Sequence, residues 1–267
     1  MLIKIPVADD FDLCKILKYR PFFFFFEDKP LRSFLYKGKL LDVEFFQEDD
    51  FLELNIEGNP DDQSLEFLRE RIRYCLGVGE NYSDFYTIVR DDHVLSKHTE
   101  AIYGNRLLSA FTDFEAAVMI ICSQNVSFRL YKSMAKKIVD AYGEGVYFPE
   151  PGQILANPGL LAECGAGYRD KFILDMCRYY LFREKTDLLK LSEIRGFGPY
   201  SMDIFRLFQL RDYGYFYVDR LIKKIFADYY KAELMNDFEV RSFAKNKFGK
   251  YAGLCEVYLQ KLLCDYR

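Results

Sequence analysis

The chain has 267 residues, is half hydrophobic and carries a net charge of −4, so it can bury the cores of two modest domains. No apolar run, the Phe22 to Phe26 stretch included, is long enough to cross a bilayer, which argues against a membrane helix. The seven cysteines are scattered, odd in number and never in a CxxC pair, a pattern of reduced intracellular thiols rather than of disulfides, zinc or an iron–sulfur cluster.

Residues 1–62 hold 8 Lys/Arg against 14 Asp/Glu, whereas the remainder holds 29 against 27. Within this acidic first part, Phe34–Tyr36 and Leu40–Phe46 flank the turn Lys37-Gly38-Lys39 and read as two strands. Phe51–Ile56 then alternates, with Leu52, Leu54 and Ile56 on one side and Glu53 and Asn55 on the other, the period of a half-buried strand. Gly58-Asn59-Pro60-Asp61 breaks the strand, and Asp62 or Ser64 is the expected cap of a helix running to about Leu76. Residues 1–97 are therefore expected to form a small α+β domain. His93 and His98 flank the linker that follows, and neither has metal-ligand spacing around it.

Residues 98–267 change to a helical pattern. Helices are expected over Phe114–Ser123, Phe128–Tyr142, Tyr168–Leu181, Asp187–Ile194, Pro199–Leu210 and Val218–Tyr229, with a last one from about Tyr251 to Leu263. The second of these carries Arg129, Lys132, Lys136 and Lys137 with no acid up to Val139, a solvated face that permits contact with a polyanion. The fold class is thus α+β, mainly helical behind a small antiparallel β-sheet domain. Phe and Tyr number 26 and 21. Most of these rings fill cores, and a few suffice to build a stacking pocket.

Chemical content concentrates in Leu191-Ser192-Glu193-Ile194-Arg195-Gly196-Phe197-Gly198-Pro199-Tyr200-Ser201. A helix ends, a turn holds two glycines, and a new helix opens on a proline whose missing N–H costs nothing there. Backbone amides at such a helix start can hold a phosphate oxygen without reading sequence. On physical grounds alone the same turn is also an ordinary corner between helices. Nineteen positions beyond Tyr200 stands Asp219, at a helix start where aspartate is ordinarily a cap.

Taken together, hairpin, glycine pair and spaced aspartate resemble the signature of the helix-hairpin-helix (HhH-GPD) DNA glycosylases. Leu221-Ile222-Lys223 is similar to the alkylpurine branch. Cys164-Gly165-Ala166-Gly167-Tyr168-Arg169 and Phe248-Gly249-Lys250-Tyr251-Ala252-Gly253 are similar to the 8-oxoguanine branch. Ile121 to Ser127 resembles the element these enzymes push into the duplex. The resemblance implies that Gly196, Gly198, Tyr200 and Ser201 contact DNA, with a monovalent cation on hairpin carbonyls rather than on side chains. It implies that Asn125, with Gln124 beside it, fills the gap left by a flipped base, although both amides also suit a helix C-cap.

Asp219 is then the catalytic carboxylate. Tyr200 stands where bifunctional members carry a lysine, so water is the expected nucleophile and strand cleavage is not expected. Tyr200, Ile204, Glu256 and Gln260 line the implied base pocket, the last three in place of the cysteine, glutamine and phenylalanine of the 8-oxoguanine branch. An alkylated purine of the 3-methyladenine type becomes the leading substrate. An oxidised or deaminated purine, or a non-catalytic DNA-binding module, are the alternatives. No cofactor is expected, and the partner is damaged double-stranded DNA met by an intracellular monomer.

Overall fold

The computed structural model describes residues 1–18, 22–23, 30–183, 185–233 and 236–263. Strand β1 (Leu2–Pro6) and helix α1 (Leu13–Lys18) precede a meander of β2 (Leu31–Tyr36), β3 (Lys39–Glu48) and β4 (Phe51–Glu57). All pairs are antiparallel in the order β1-β4-β3-β2, with Ile3 opposite Leu54, Val43 opposite Ile56 and Phe34 opposite Leu41. Lys37 and Gly38 both adopt positive φ (49° and 75°), the geometry that lets a two-residue turn follow the twist of β2 and β3. β1 is the strand that the sequence reading misses, since five residues with two buried isoleucines are too short to register as a period.

Helix α2 (Asp62–Leu76) lays Leu68, Ile72, Cys75 and Leu76 against the sheet's apolar residues. Its cap is Asp61, not Asp62 or Ser64: the Asp61 carboxylate accepts from Ser64 N at 2.8 Å. There follow α3 (Ser83–Asp91), the single turn α4 (Thr99–Ile102), α5 (Asp113–Ser123) and α6 (Phe128–Tyr142). α5 is buried from Phe114 to Cys122, the signature of a helix enclosed on all sides, and Thr112 and Ser127 cap α5 and α6. Short α7 (Pro151–Ala156) and α8 (Leu160–Glu163) lead to α9 (Arg169–Tyr180) and α10 (Leu188–Glu193). α11 (Pro199–Ile204) runs on as a π-helical turn, Phe205–Gln209, where one continuous helix was expected. α12 (Arg220–Tyr230), α13 (Asp237–Phe248) and α14 (Ala252–Leu263) complete the helical part. α13 is absent from the sequence reading although Asn236 and Glu239 form a capping box that announces it.

Apolar contacts divide into one cluster centred on the sheet and one among the helices, and they interleave along the chain. Tyr82 and Phe85 join the helical cluster, while Leu108 and Phe111 join the sheet's. Buried ion pairs stitch the two together: Arg32 to Glu115 (2.5 Å), Arg106 to Asp10 (2.7 Å) and Arg211 to Glu80 (2.8 Å). Among the described residues no helix is long and apolar enough to cross a membrane. The six described cysteines are unpaired, and Cys264 lies outside the described residues.

Candidate active site

α10, the turn after it and α11 form the expected hairpin, with Phe197 N donating to Ile194 O at 2.9 Å and Pro199 opening α11. Gly196 is required twice over. Its φ is +86°, and an added Cβ would stand 2.3 Å from the Phe172 ring. Gly196→Ala should therefore cost about 1–3 kcal/mol and weaken duplex binding, read by thermal melting and by DNA titration. Gly198 has φ −77°, which any residue adopts, and a Cβ there meets nothing within 4 Å. Its surroundings are open for the approach of a backbone or phosphate.

Gln124 and Ser201 take positions other than the DNA face. Ser201 is buried, and the Gln124 side chain donates to Gly196 O at 2.6 Å and to Ser201 Oγ at 3.0 Å. These two residues lock the hairpin to the loop after α5, because the amide finds protein acceptors before it can find a base. Asn125 is exposed at the loop tip in a left-handed conformation (φ 51°), its amide 3.3 Å from the Tyr168 hydroxyl. Arg169 Nη2 donates to Gln124 O and fixes the loop from below. The carbonyls of Ile194, Gly196 and Gly198 each accept one hydrogen bond, so each keeps a lone pair with which it could join in holding a monovalent cation.

Asp219 caps α12 and lines a cavity at once. Its Oδ1 accepts from Leu221 N at 2.9 Å and Ile222 N at 2.8 Å, which fixes the carboxylate's orientation. Burial pushes its pKa above the usual carboxylate value, against the two backbone donors and Gln260. The cavity, about 240 Å³, is also walled by Tyr200, Ile204 and Gln260, as the sequence led one to expect. Tyr200 sits edge-on to Tyr217 with ring centroids 5.6 Å apart. Burial, then the charges of Asp219 and Glu256, raise its pKa, so its phenol stays neutral.

Besides Tyr200, five rings line the cavity: Phe22, Phe128, Tyr131, Phe208 and Tyr217. Phe22, from the Phe22 to Phe26 run, stacks on Tyr131 (5.4 Å) and Phe208 (5.1 Å) within the cavity wall, and Tyr131 donates to Phe22 O at 2.8 Å. Phe23 is core, and Phe24–Phe26 lie outside the described residues. Lys261 is absent from the sequence reading, though Val257, Gln260 and Lys261 recur at the spacing of one helix face. Its pKa is pulled down to about 8 by burial alone.

Glu256 corrects an expectation. It does not line the cavity but lies fully buried behind it, accepting from Gln260 Nε2. Burial and then the Asp219 charge raise its pKa well above 4.5, so folding takes up a proton and stability falls as pH rises beyond 4.5. Glu256→Gln removes that dependence. It should raise Tm at pH 7–8 but not at pH 4, each recovered kcal/mol appearing as about 2–4 °C in calorimetry.

No protein-family model matches the chain. A probable N-glycosylase/DNA lyase of Methanothermobacter thermautotrophicus is 25% identical over 72% of this chain and 73% of its own. The 3-methyladenine DNA glycosylase of Archaeoglobus fulgidus shares 21% identity with a TM-score of 0.77, covering 97% of this chain and 98% of that one. The apo 8-oxoguanine glycosylase/lyase of Clostridium acetobutylicum shares 21% identity with a TM-score of 0.73, over 97% and 95%. That enzyme has also been solved in complex with double-stranded DNA. The chain is thus similar to DNA glycosylases in sequence and shares the fold of these solved structures.

Proposed function

We propose that the protein hydrolyses the N-glycosidic bond of a damaged purine flipped out of duplex DNA. The observation that carries this reading is Asp219, oriented by two backbone amides and facing an aromatic cavity next to the hairpin. As the bond to the base lengthens, positive charge builds on the sugar. A fixed carboxylate stabilises that charge and takes a proton from the attacking water. The purine stacks among the cavity rings, as unpaired bases do on aromatic side chains. Asn125 at its exposed tip fills the vacated place in the duplex. Tyr200 offers a neutral phenol and no amine, so the hairpin takes no part in cutting the strand.

An alkylated purine suits this lining, because a positively charged ring is attracted to aromatic faces and to a carboxylate. Lys261 favours a second reading. Its amine and the Gln260 amide are donors for the carbonyl of a neutral oxidised or deaminated purine, and an ammonium repels a cationic base. Either substrate places the protein with the genome, inside the cell.

Duplexes each carrying one lesion, a 3-methyladenine analogue, 7-methylguanine, hypoxanthine or 8-oxoguanine, separate the readings. Release of base that shows as a break only after hot alkali is the expected result, and the lesion released fastest names the substrate class. Since the ionised Asp219 is the active form, release should climb with pH through a pKa above 3.8. Breakage without alkali would refute the hydrolytic route, and DNA binding with no release would leave a binding module.

A further inference from the structure

Behind the cavity, two carboxyl groups share one amide. Gln260 Nε2 donates to Glu256 Oε1 and stands 3.5 Å from each oxygen of Asp219, while Tyr217 donates its hydroxyl to Gln260 Oε1 at 3.3 Å. Tyr217 and Glu256 thereby fix which end of the amide faces Asp219: the hydroxyl holds the oxygen and the acid holds the nitrogen. Glu256 is fully buried, and none of the ion pairs among the described residues involves it. Its other oxygen, Oε2, has no hydrogen-bond partner. A carboxylate in such a place, with a second one beyond the amide, is held in its neutral form.

We propose that Glu256 is a positioning residue: as an uncharged acid it aims the Gln260 amide at Asp219, and its ionisation switches that support off. The proposal rests on Asp219 being the catalytic carboxylate. An N–H directed at Asp219 favours its ionised form and keeps the second oxygen turned to the sugar. Once Glu256 loses its proton it becomes a stronger acceptor, draws the amide back, and sets a second negative charge behind the first. The titratable groups that face Glu256 are Asp219 at the start of α12, Tyr217 before it and Tyr200 on α11. Burial holds the Tyr200 phenol above its ordinary range, so it stays neutral while Glu256 titrates.

Single-turnover release of the preferred lesion, measured from pH 5 to 10, tests this in wild type, Glu256→Leu and Glu256→Gln. Glu256→Leu removes the acceptor and should lower the rate about 10–100-fold with duplex affinity little changed, the effect of losing one hydrogen bond to a charged group. Glu256→Gln keeps an acceptor and should restore most of the rate. It should also abolish the fall that wild type shows at alkaline pH. A rate for Glu256→Leu equal to wild type, a loss confined to affinity, or the same alkaline fall in Glu256→Gln overturns the proposal. Should Glu256→Leu fail to fold, the pH profile of Glu256→Gln decides alone. Absence of release by wild type from every lesion refutes the role of Asp219 instead. The Glu256 switch is then read from the Gln260 side-chain amide resonance, which must move with pH in wild type and stay fixed in Glu256→Gln.

Discussion

On the proposed function, Asp219→Asn is expected to lower base release by about 10³-fold, within the 10²–10⁴ typical of a lost acid–base group, while duplex affinity changes little. The asparagine is chosen because α12 still needs its cap. Asn caps a helix as well as Asp does, so the contacts with Leu221 N and Ile222 N survive and the fold is preserved. What disappears is the negative charge beneath the sugar and the ability to take a proton from water. An alanine at the same place would confound the two roles, adding about 1 kcal/mol of lost capping to the lost chemistry. Single-turnover release by wild type and Asp219→Asn, with binding measured in parallel, checks the result. Retention of more than a tenth of the wild-type rate would move the chemistry to another group.

Arg211→Ala destabilises the fold by about 3–5 kcal/mol, a drop in Tm of about 6–20 °C. Its guanidinium is nearly enclosed and holds both oxygens of Glu80 at 2.8 Å. It also donates to Leu107 O at 2.8 Å and Ser109 Oγ at 2.9 Å, so it bridges the segment after α2, the chain entering α5 and the end of the π turn. Removing it leaves Glu80 without its cation, held by the Tyr213 hydroxyl, and takes a donor from Leu107 O, Ser109 Oγ and Cys75 O. Burial alone would raise the Glu80 pKa, but Arg211 and Tyr213 hold it below the ordinary 4.5. The pairing energy is therefore present above pH 4.5 and lost as pH falls through the lowered value. The variant should lack this part of the acid dependence. Urea melts of both proteins at pH 7 and at pH 3 read it, and equal stability at pH 7 would show that the network contributes nothing.

Arg211 marks the limit of what a sequence can disclose. It sits between Leu210 and Asp212 in a loop with no period around it, and its partners are more than a hundred residues away. The strands β2 to β4, the helices α5 and α6 and the hairpin were legible because their signals are local: alternation, helical spacing, a cap, two glycines and a proline. Asp219 was legible for a related reason, a fixed distance from the hairpin that the superfamily resemblance made specific.

The sequence by itself determined an α+β chain, a hairpin between two helices, and the aspartate beside it, because each is written within a few turns of chain. Only the tertiary structure decided what surrounds that aspartate. Phe22 reaches the cavity from between α1 and β2, Tyr131 from α6 and Phe208 from the π turn, and their stacking depends on packing between distant segments. The same packing turned Gln124 and Ser201 inward and placed Glu256 behind the wall instead of in it. Which face of a helix is lined, and which is sealed, is settled by the neighbours that remove water from it.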